Sequence, residues 1–283
     1  MDRKAELGAF LRSRRARLSP EEAGLPRFGG RRRVPGLRRE ELARLAGVST
    51  DYYVRLEQGR ADNVSDEVVA AVSAALRLDG PERAHLHRLV RGAPARPAGS
   101  GGPAAPQTVR PGLRRLLESM PGTPACVLGR RTDILAWNPL YAALFTDLDA
   151  LPAERRNKLW LLFTHPQWRD RFADPEAKAA CLTSFFRLER GRHPDDPGYD
   201  DLVAELSAQS PRFRALWAEH EVCDSTHGSW TLRHPAVGEV TLAYETLRLP
   251  DDPDQLLITY TTEPASPSES ALRALAGPLP VDA

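Results

Sequence analysis

The sequence predicts two domains of different class: an all-α front built around a helix-turn-helix, and an α+β rear. Three observations carry this. The stretch from Gly92 to Gln107 reads GAPARPAGSGGPAAPQ, has almost nothing to bury, and has the composition of a linker. Ahead of it the apolar residues recur only at helical spacing. Behind it, helical stretches are followed by alternating runs rich in Thr, Val, Leu and Tyr. The expected division is residues 1–92, a linker over 93–107, and a second domain over 108–277.

Each element of the front has its own signal. Leu7, Phe10, Leu11 and Leu18 form a stripe among Arg12, Arg14, Arg15 and Arg17, so a first helix is expected there. Ser19-Pro20-Glu21-Glu22 has the chemistry of a capping box, opening a short turn of helix that stops at Gly24. Next comes ELARLAGVSTDYYVRLEQGR, from Glu41 to Arg60, two short amphipathic patterns around Gly47-Val48-Ser49. A helix over Val68 to Leu78 begins near Ser65, and Asp79-Gly80-Pro81-Glu82 caps a fifth that ends near Val90. In the rear, ACVLGRRTDILAWN reads as two strands around Gly129-Arg130-Arg131. PLYAALF, ERRNKLWLLF, AKAACLTSFFRLERG, YDDLVAELSAQS and PRFRALWAEHEV read as helices. WTLRH, GEVTLAYETLRL and DQLLITYTTE read as three antiparallel strands, and Ser266-Pro267-Ser268-Glu269 caps a last helix that ends at Gly277-Pro278.

The hinge at Gly47 has a physical purpose. Leu42, Ala43, Ala46, Val48, Tyr53 and Leu56 share one apolar patch if the two helices meet at about 90–120°. Ala43 is small enough for a close crossing, Gly47 makes the bend, Ser49 caps the second helix and Gly59 ends it. The outward face then carries Thr50, Asp51, Tyr52 and Arg55, a set suited to base edges in the major groove of double-stranded DNA. Arg31, Arg32, Arg33, Arg39 and Ser49 are the expected contacts to the phosphate backbone. Two plainer readings stay open: an αα-hairpin in an ordinary bundle, and a solvated arginine loop.

Charge points the same way. Residues 1–92 hold 19 Lys and Arg against 13 Asp and Glu, leaving 20 against 25 in the rest of the chain, so a basic front suits a polyanion. Only three lysines occur, Lys4, Lys158 and Lys178, against 36 arginines, which fits a coding bias. No run approaches the roughly 20 apolar residues of a membrane span. MDRKAELGAF has no apolar region of a signal peptide. Three scattered cysteines, Cys126, Cys181 and Cys223, make no disulfide framework. The expected setting is the cytoplasm, with no membrane partner.

Catalytic and cofactor motifs are missing. There is no G-x-S-x-G, Walker A or G-x-G-x-x-G. Cys223 and His227 are four apart but lack a second pair of metal ligands. The doublets Asp195-Asp196, Asp200-Asp201 and Asp251-Asp252 lie beside Pro or Gly and read as turns. The expectation is no enzyme, no cofactor and no metal. Trp137, Trp160, Phe163, Phe185, Phe186, Trp217 and Trp230 lie on different elements and either form a core or converge on a pocket.

LGAFLRSRRARLSPEEAGLP, GRRRVPGLRREELARLAGVSTDYYVRLEQGR and VSDEVVAAVSAALRLDGPERAHLHRL resemble the repressor-like helix-turn-helix domain of the XRE-type, MmyB-like transcriptional regulators. ILAWN, NKLWLLFTHP, GRHPDDP, ELSAQSPRFRALWAEHEV, LRHPAVGEVTLAYETL and SPSESALRAL resemble the family's ligand-binding domain. The resemblance implies a PAS-like rear that binds a small apolar, fatty-acid-like effector, and a homodimer on an inverted-repeat operator. Candidate pocket residues are Trp137, Asn138, Asn157, Trp160, Phe163, His165, Trp217 and Trp230. Trp160 stands where the family usually has Arg, and Trp230 near a usual Lys or Arg, which implies a more apolar pocket. The rival functions are a regulator controlled by a partner protein and a DNA-tethered acyl-handling enzyme.

Overall fold

The structure, a computed structural model, describes residues 3–25, 36–61, 63–92 and 107–277. The described front holds five helices: α1 (Arg3–Arg17), α2 (Arg39–Leu45), α3 (Thr50–Glu57), α4 (Asp66–Ala75) and α5 (Gly80–Arg91). Phe10, Leu11, Leu42, Tyr53, Leu56, Val72 and Leu86 meet in one core. The ends are set by local chemistry. Ser49 and Ser65 accept from the amides of Tyr52 (3.1 Å) and Val68 (3.4 Å). Asp79 and Glu82 exchange capping-box bonds of 2.8 and 3.1 Å; caps of this kind contribute about 1 kcal/mol each. Ser19 and Glu22 make the same reciprocal pair, at 2.8 and 3.2 Å. No helix follows it, however, because Gly24 turns left-handed (φ 73°) only two residues later. The expected short helix is a capped turn.

The rear begins with α6 (Pro111–Glu118), β1 (Ala125–Leu128), β2 (Ile134–Trp137), α7 (Pro139–Phe145), α8 (Lys158–Thr164) and α9 (Pro166–Arg169). It continues with α10 (Pro175–Arg190), α11 (Gly198–Gln209), α12 (Pro211–Ala218), β3 (His227–His234), β4 (Gly238–Arg248), β5 (Leu256–Thr261) and α13 (Pro267–Ala276). The strands form one antiparallel sheet in the order β2-β1-β5-β4-β3. Strand parity decides which side chains face which layer. Cys126, Leu242, Tyr244, Ile258 and Tyr260 face the helices, joining Tyr141, Phe145, Trp168 and Phe186 in the main core. Ala125, Val127 and Leu257 face the other way, onto Leu113 and Leu117 of α6. The sequence reading had no helix at α6, because its Pro-Gly opening follows directly on a Pro- and Gly-rich stretch. Pro at the first helical position is compatible with a start, and the Leu113–Leu117 pair supplies the buried stripe.

The two domains pack directly on each other. Leu188 and Val222 of the rear belong to the core of the front. At the centre of the contact lies a buried ion pair: Nη1 of Arg187, on α10, donates to Oε1 of Glu6, on α1, at 2.5 Å, and each side chain is only 2% exposed. Arg187 also donates to the Trp217 carbonyl, and its guanidinium carbon lies over the Trp217 ring, 3.7 Å from its centroid. His220 Nδ1 stands 3.3 Å from Glu6. Around this centre Arg14 pairs with Glu82 at 2.7 Å and donates to the His220 carbonyl at 2.8 Å, and Arg17 pairs with Glu221. His85 fills the other side, edge-on to Phe10 and against Gly191, where a β-carbon would lie 3.0 Å from the ring.

Two titrations make this contact acid-sensitive. Burial would raise the Glu6 carboxyl, but the His220 hydrogen bond and the Arg187 charge take it down to about 2. Its contribution is therefore complete above the ordinary 4.5 and disappears as pH falls through about 2. Burial holds His85 neutral down to about 3. Below the ordinary 6.5 the unfolded chain takes up a proton that the folded chain refuses, so stability falls from there towards pH 3. Docking should loosen progressively below about pH 6.5, seen as a rising radius of gyration in solution scattering. Glu6→Gln leaves Arg187 buried and unpaired and should cost about 3–5 kcal/mol by urea unfolding; an unchanged midpoint would show that the pair holds nothing together.

Candidate functional site

The first site is the exposed face of α3. The apolar patch expected around the hinge forms: Leu42, Ala43, Ala46, Tyr53 and Leu56 are buried and Val48 packs against them. Gly47 bends with φ 66° and Gly59 with φ 67°. Thr50, Asp51 and Arg55 are exposed, and Tyr52 is half-buried beneath the Arg55 guanidinium, 5.8 Å from its ring centroid. Ser49 is exposed and its hydroxyl is engaged as the cap.

Behind this face stands Glu57, buried at the end of α3. It accepts from Arg39 through Nε (2.9 Å) and Nη2 (2.7 Å), and from Arg15 at 3.1 Å. Arg39 thus links the start of α2 to the end of α3 while staying half-exposed. Arg31, Arg32 and Arg33 lie outside the described residues. Helix α1 seats the reader closely: a β-carbon on Gly8 would lie 2.4 Å from the Glu57 carbonyl, and one on Gly59 would lie 2.6 Å from Cβ of Lys4. Lys4, Arg12, Gln58 and Arg60 line a recess of about 410 Å³ beside the end of α3.

The second site is the interior of the rear domain, where two of the chain's three lysines are buried between sheet and helices. Lys158 opens α8 and donates from Nζ to the Tyr260 hydroxyl at 3.0 Å. Lys178, on α10, lies in an aromatic box, with Nζ 4.4 Å from the centroid of Trp230, 5.3 Å from Phe172 and 5.8 Å from Tyr244. Cation–π attraction of this kind amounts to about 2 kcal/mol when desolvated. That is less than the several kcal/mol a buried ammonium loses in hydration. Burial and the like charge of Lys158 accordingly bring Lys178 down to about 7. The other groups acting on it most strongly are the thiols of Cys181, Cys223 and Cys126, none of them a carboxylate. Tyr260, whose hydroxyl holds Lys158, also lines a cavity of about 460 Å³ between the Gly122-Thr123 turn, the end of β5 and α13. Thr262, Leu272 and Arg273 line it too.

The candidate pocket residues do not gather at one place. Asn138 caps α7: its Oδ1 accepts from Tyr141 (3.0 Å) and Ala125 (3.1 Å), and its Nδ2 donates to the carbonyls of Met120 and Thr123. Asn157 caps α8, accepting from Trp160 and Thr132 and donating to the Arg131 carbonyl and to Asp133. Both amides are fully used by the fold. His165 caps α9 through Nδ1, which accepts from Trp168 at 3.3 Å. Trp160 donates to Glu205 and lies under Arg155, while Trp137 lies under Arg156. Phe163, Phe213 and Trp217 form one aromatic run, and Trp230 belongs to the Lys178 box. Sequence reasoning passed over Lys158 and Lys178. The signal was available: lysines in KLWLLF and AKAACLTSFF, on apolar helices of a chain that otherwise uses arginine.

Fold and sites together define a protein with a helix-turn-helix docked on an α+β domain that buries two lysines in its core. A family model described as the MmyB-like transcription regulator ligand binding domain matches residues 109–275, and one described as a helix-turn-helix domain matches residues 6–86. The chain belongs to the MmyB-like transcription regulators, and it pairs a DNA-binding helix-turn-helix with a ligand-binding domain. A search of curated proteins returned no match. Among the described residues no helix is long and apolar enough to cross a membrane.

Lys178→Met removes the ammonium and keeps the packing volume. Between about 7 and the ordinary 10.5 the wild-type unfolded state binds a proton that the folded state has lost, so wild-type stability should rise with pH across that window. Denaturant titrations at several pH values should find this rise missing from the variant, and the variant more stable at pH 7 by about 1–4 kcal/mol. A parallel rise in both proteins would place the titration elsewhere.

Proposed function

We propose that this chain is a homodimeric regulator that reads an inverted-repeat operator through α3 and responds to an apolar effector with an acidic head, held inside the rear domain. The strand order β2-β1-β5-β4-β3, with the main helical layer on one face, supports a PAS-like reading of that domain. The division into 1–92, 93–107 and 108–277 is retained, as is a soluble cytoplasmic setting. Thr50, Asp51, Tyr52 and Arg55 are the base readers, with Ser49, Arg39 and Arg31 to Arg33 on phosphates. Arg12 and Arg60 extend the phosphate contacts along the recess beside α3.

The observation that carries the effector reading is Lys178: a buried cation with aromatic walls and no carboxylate among its strongest neighbours. The acidic groups among those neighbours are thiols, Cys181 foremost, so a carboxylate head would complete the neutralisation of the two buried cations Lys178 and Lys158, and an apolar tail is what the surrounding core accepts. The polar anchor therefore moves from Asn138 and Asn157, whose bonds are spent, to Lys178, with Lys158 and Tyr260 beside it.

The route to DNA runs along α10 and α1. Lys178 and Phe186 of α10 face the interior, and Arg187, the residue after Phe186, holds Glu6. Glu6 lies between Lys4 and Gly8, the two α1 residues seated against the end of α3. An effector that shifts α10 thus shifts the bed of the reader, with a coupling of about 1–3 kcal/mol if typical. This direct route competes with a purely dimer-mediated one.

Native mass spectrometry of the purified protein, repeated under denaturing conditions, tests the effector. The expected result is a dimer that loses a small acidic, apolar molecule on unfolding, while Lys178→Met retains at least about tenfold less of it. A ligand-free dimer that ignores added fatty acids would favour control by a partner protein. On DNA, Arg55→Ala should cost about 1–3 kcal/mol on the preferred site and relax preference at one base pair. Arg60→Ala should weaken binding to all sequences alike and reduce the salt slope by about one. Full specific affinity in Arg55→Ala would remove Arg55 from the readers.

A further inference from the structure

The segment from Glu219 to Thr226, between α12 and β3, is a strap whose two halves have different neighbours. His220, Glu221 and Val222 touch the DNA-binding domain, through Glu6, Arg14, Arg17 and the front core. Cys223 then turns into the rear domain and meets Cys181 on α10. The Cys223 thiol donates to the Cys181 carbonyl at 3.5 Å, which brings the two cysteines together. The Cys181 sulfur also lies 3.6 Å from the Ser225 hydroxyl, which bonds to the Tyr244 hydroxyl at 2.7 Å. Lys178 precedes Cys181 by three residues on the same helix, so its ammonium is on the same side.

We propose that Cys181 and Cys223 are a modification site for hydroperoxides, which convert the pair to a disulfide and so fasten the strap beneath the DNA-binding domain to α10. The two sulfurs have distinct parts. The hydrogen bond from Cys223 and the charge of Lys178 bring Cys181 down to about 6, while the same contact and burial push Cys223 up. Cys181 is therefore the attacking thiolate, and Cys223 keeps its proton. The Cys181 sulfur attacks the terminal peroxide oxygen and the O–O bond breaks. The alkoxide leaves as an alcohol with the proton that Cys181 gave up, and Cys181 becomes a sulfenic acid. The Cys223 sulfur then attacks the Cys181 sulfur, the S–O bond breaks, and hydroxide leaves as water with the Cys223 proton. The two sulfurs lose two electrons and the peroxide gains them. Both cysteines are partly accessible, whereas Cys126 is buried and its thiol pushed up, which makes it an internal control.

The test uses the reduced full-length protein and hydrogen peroxide, followed by intact mass and peptide mapping. The expected product has lost about 2 Da and yields a Cys181–Cys223 cross-linked peptide. Cys126→Ser should behave like the wild type. Cys223→Ser should stop at a Cys181 sulfenic acid trapped by dimedone, which keeps the test valid if Cys181→Ser folds poorly. Dimedone on Cys126 instead, no reaction at Cys181, or a disulfide only between chains would each overturn the proposal. The readout needs neither effector nor operator, so it fails or succeeds independently of the proposed regulation.

Discussion

The buried pair Glu6–Arg187 lies at the centre of the contact between the two domains and constrains how they can meet. Two charges taken out of water cost several kcal/mol each, and their attraction repays this only with good geometry and further hydrogen bonds. Those are present: Arg187 has Glu6, the Trp217 carbonyl and the Trp217 ring, and Glu6 has Arg187 and His220. The pair therefore adds little net stability over an apolar contact but strongly penalises any other docking of the domains, because a slip strands both charges. That is the property a signalling contact needs.

The interior of the rear domain follows a related logic with the opposite outcome. Arg187 found a carboxylate; Lys178 found aromatic faces and thiols. A core that keeps a cation whose strongest acidic neighbours are thiols gives up stability that a methionine there would return, and such trade-offs concentrate where function is served. The adjacent thiol pair draws on the same cation, so one lysine shapes both the aromatic box and the chemistry of Cys181. Helix α10 carries all of these residues, Lys178, Cys181, Phe186 and Arg187, within three turns.

Much of this was legible because local chemistry decides it. Ser49, Ser65, Asp79 and Ser266 announce helix starts, Gly47 and Gly59 announce left-handed turns, and the helix-turn-helix patch follows from spacing alone. The last three strands were placed by their alternation and the first two by the apolar runs on either side of Gly129-Arg130-Arg131. The interior of the site was not legible. Glu6 and Arg187 are 181 positions apart, and nothing in either segment marks a partner. Asn138 and Asn157 attracted attention as polar residues near aromatics, yet an Asn ahead of a helix is first of all a cap. Whether the aromatic residues form a core or converge on a pocket could not be read from their spacing. Convergence depends on the three-dimensional path, and here it put Trp230 with Lys178 but left Trp137 and Trp160 under separate arginines.

The central claim is that the state of the rear interior reaches the recognition helix through α10, Arg187, Glu6 and α1. Amide hydrogen exchange on the full chain, before and after titration with an acidic, long-chain amphiphile, addresses it most directly. The account predicts that protection changes together in α10, in the strap around His220, in α1 and at the end of α3, and that Arg187→Met confines the change to the rear domain. A change restricted to the rear domain in the wild type, with α1 and α3 untouched, would contradict it.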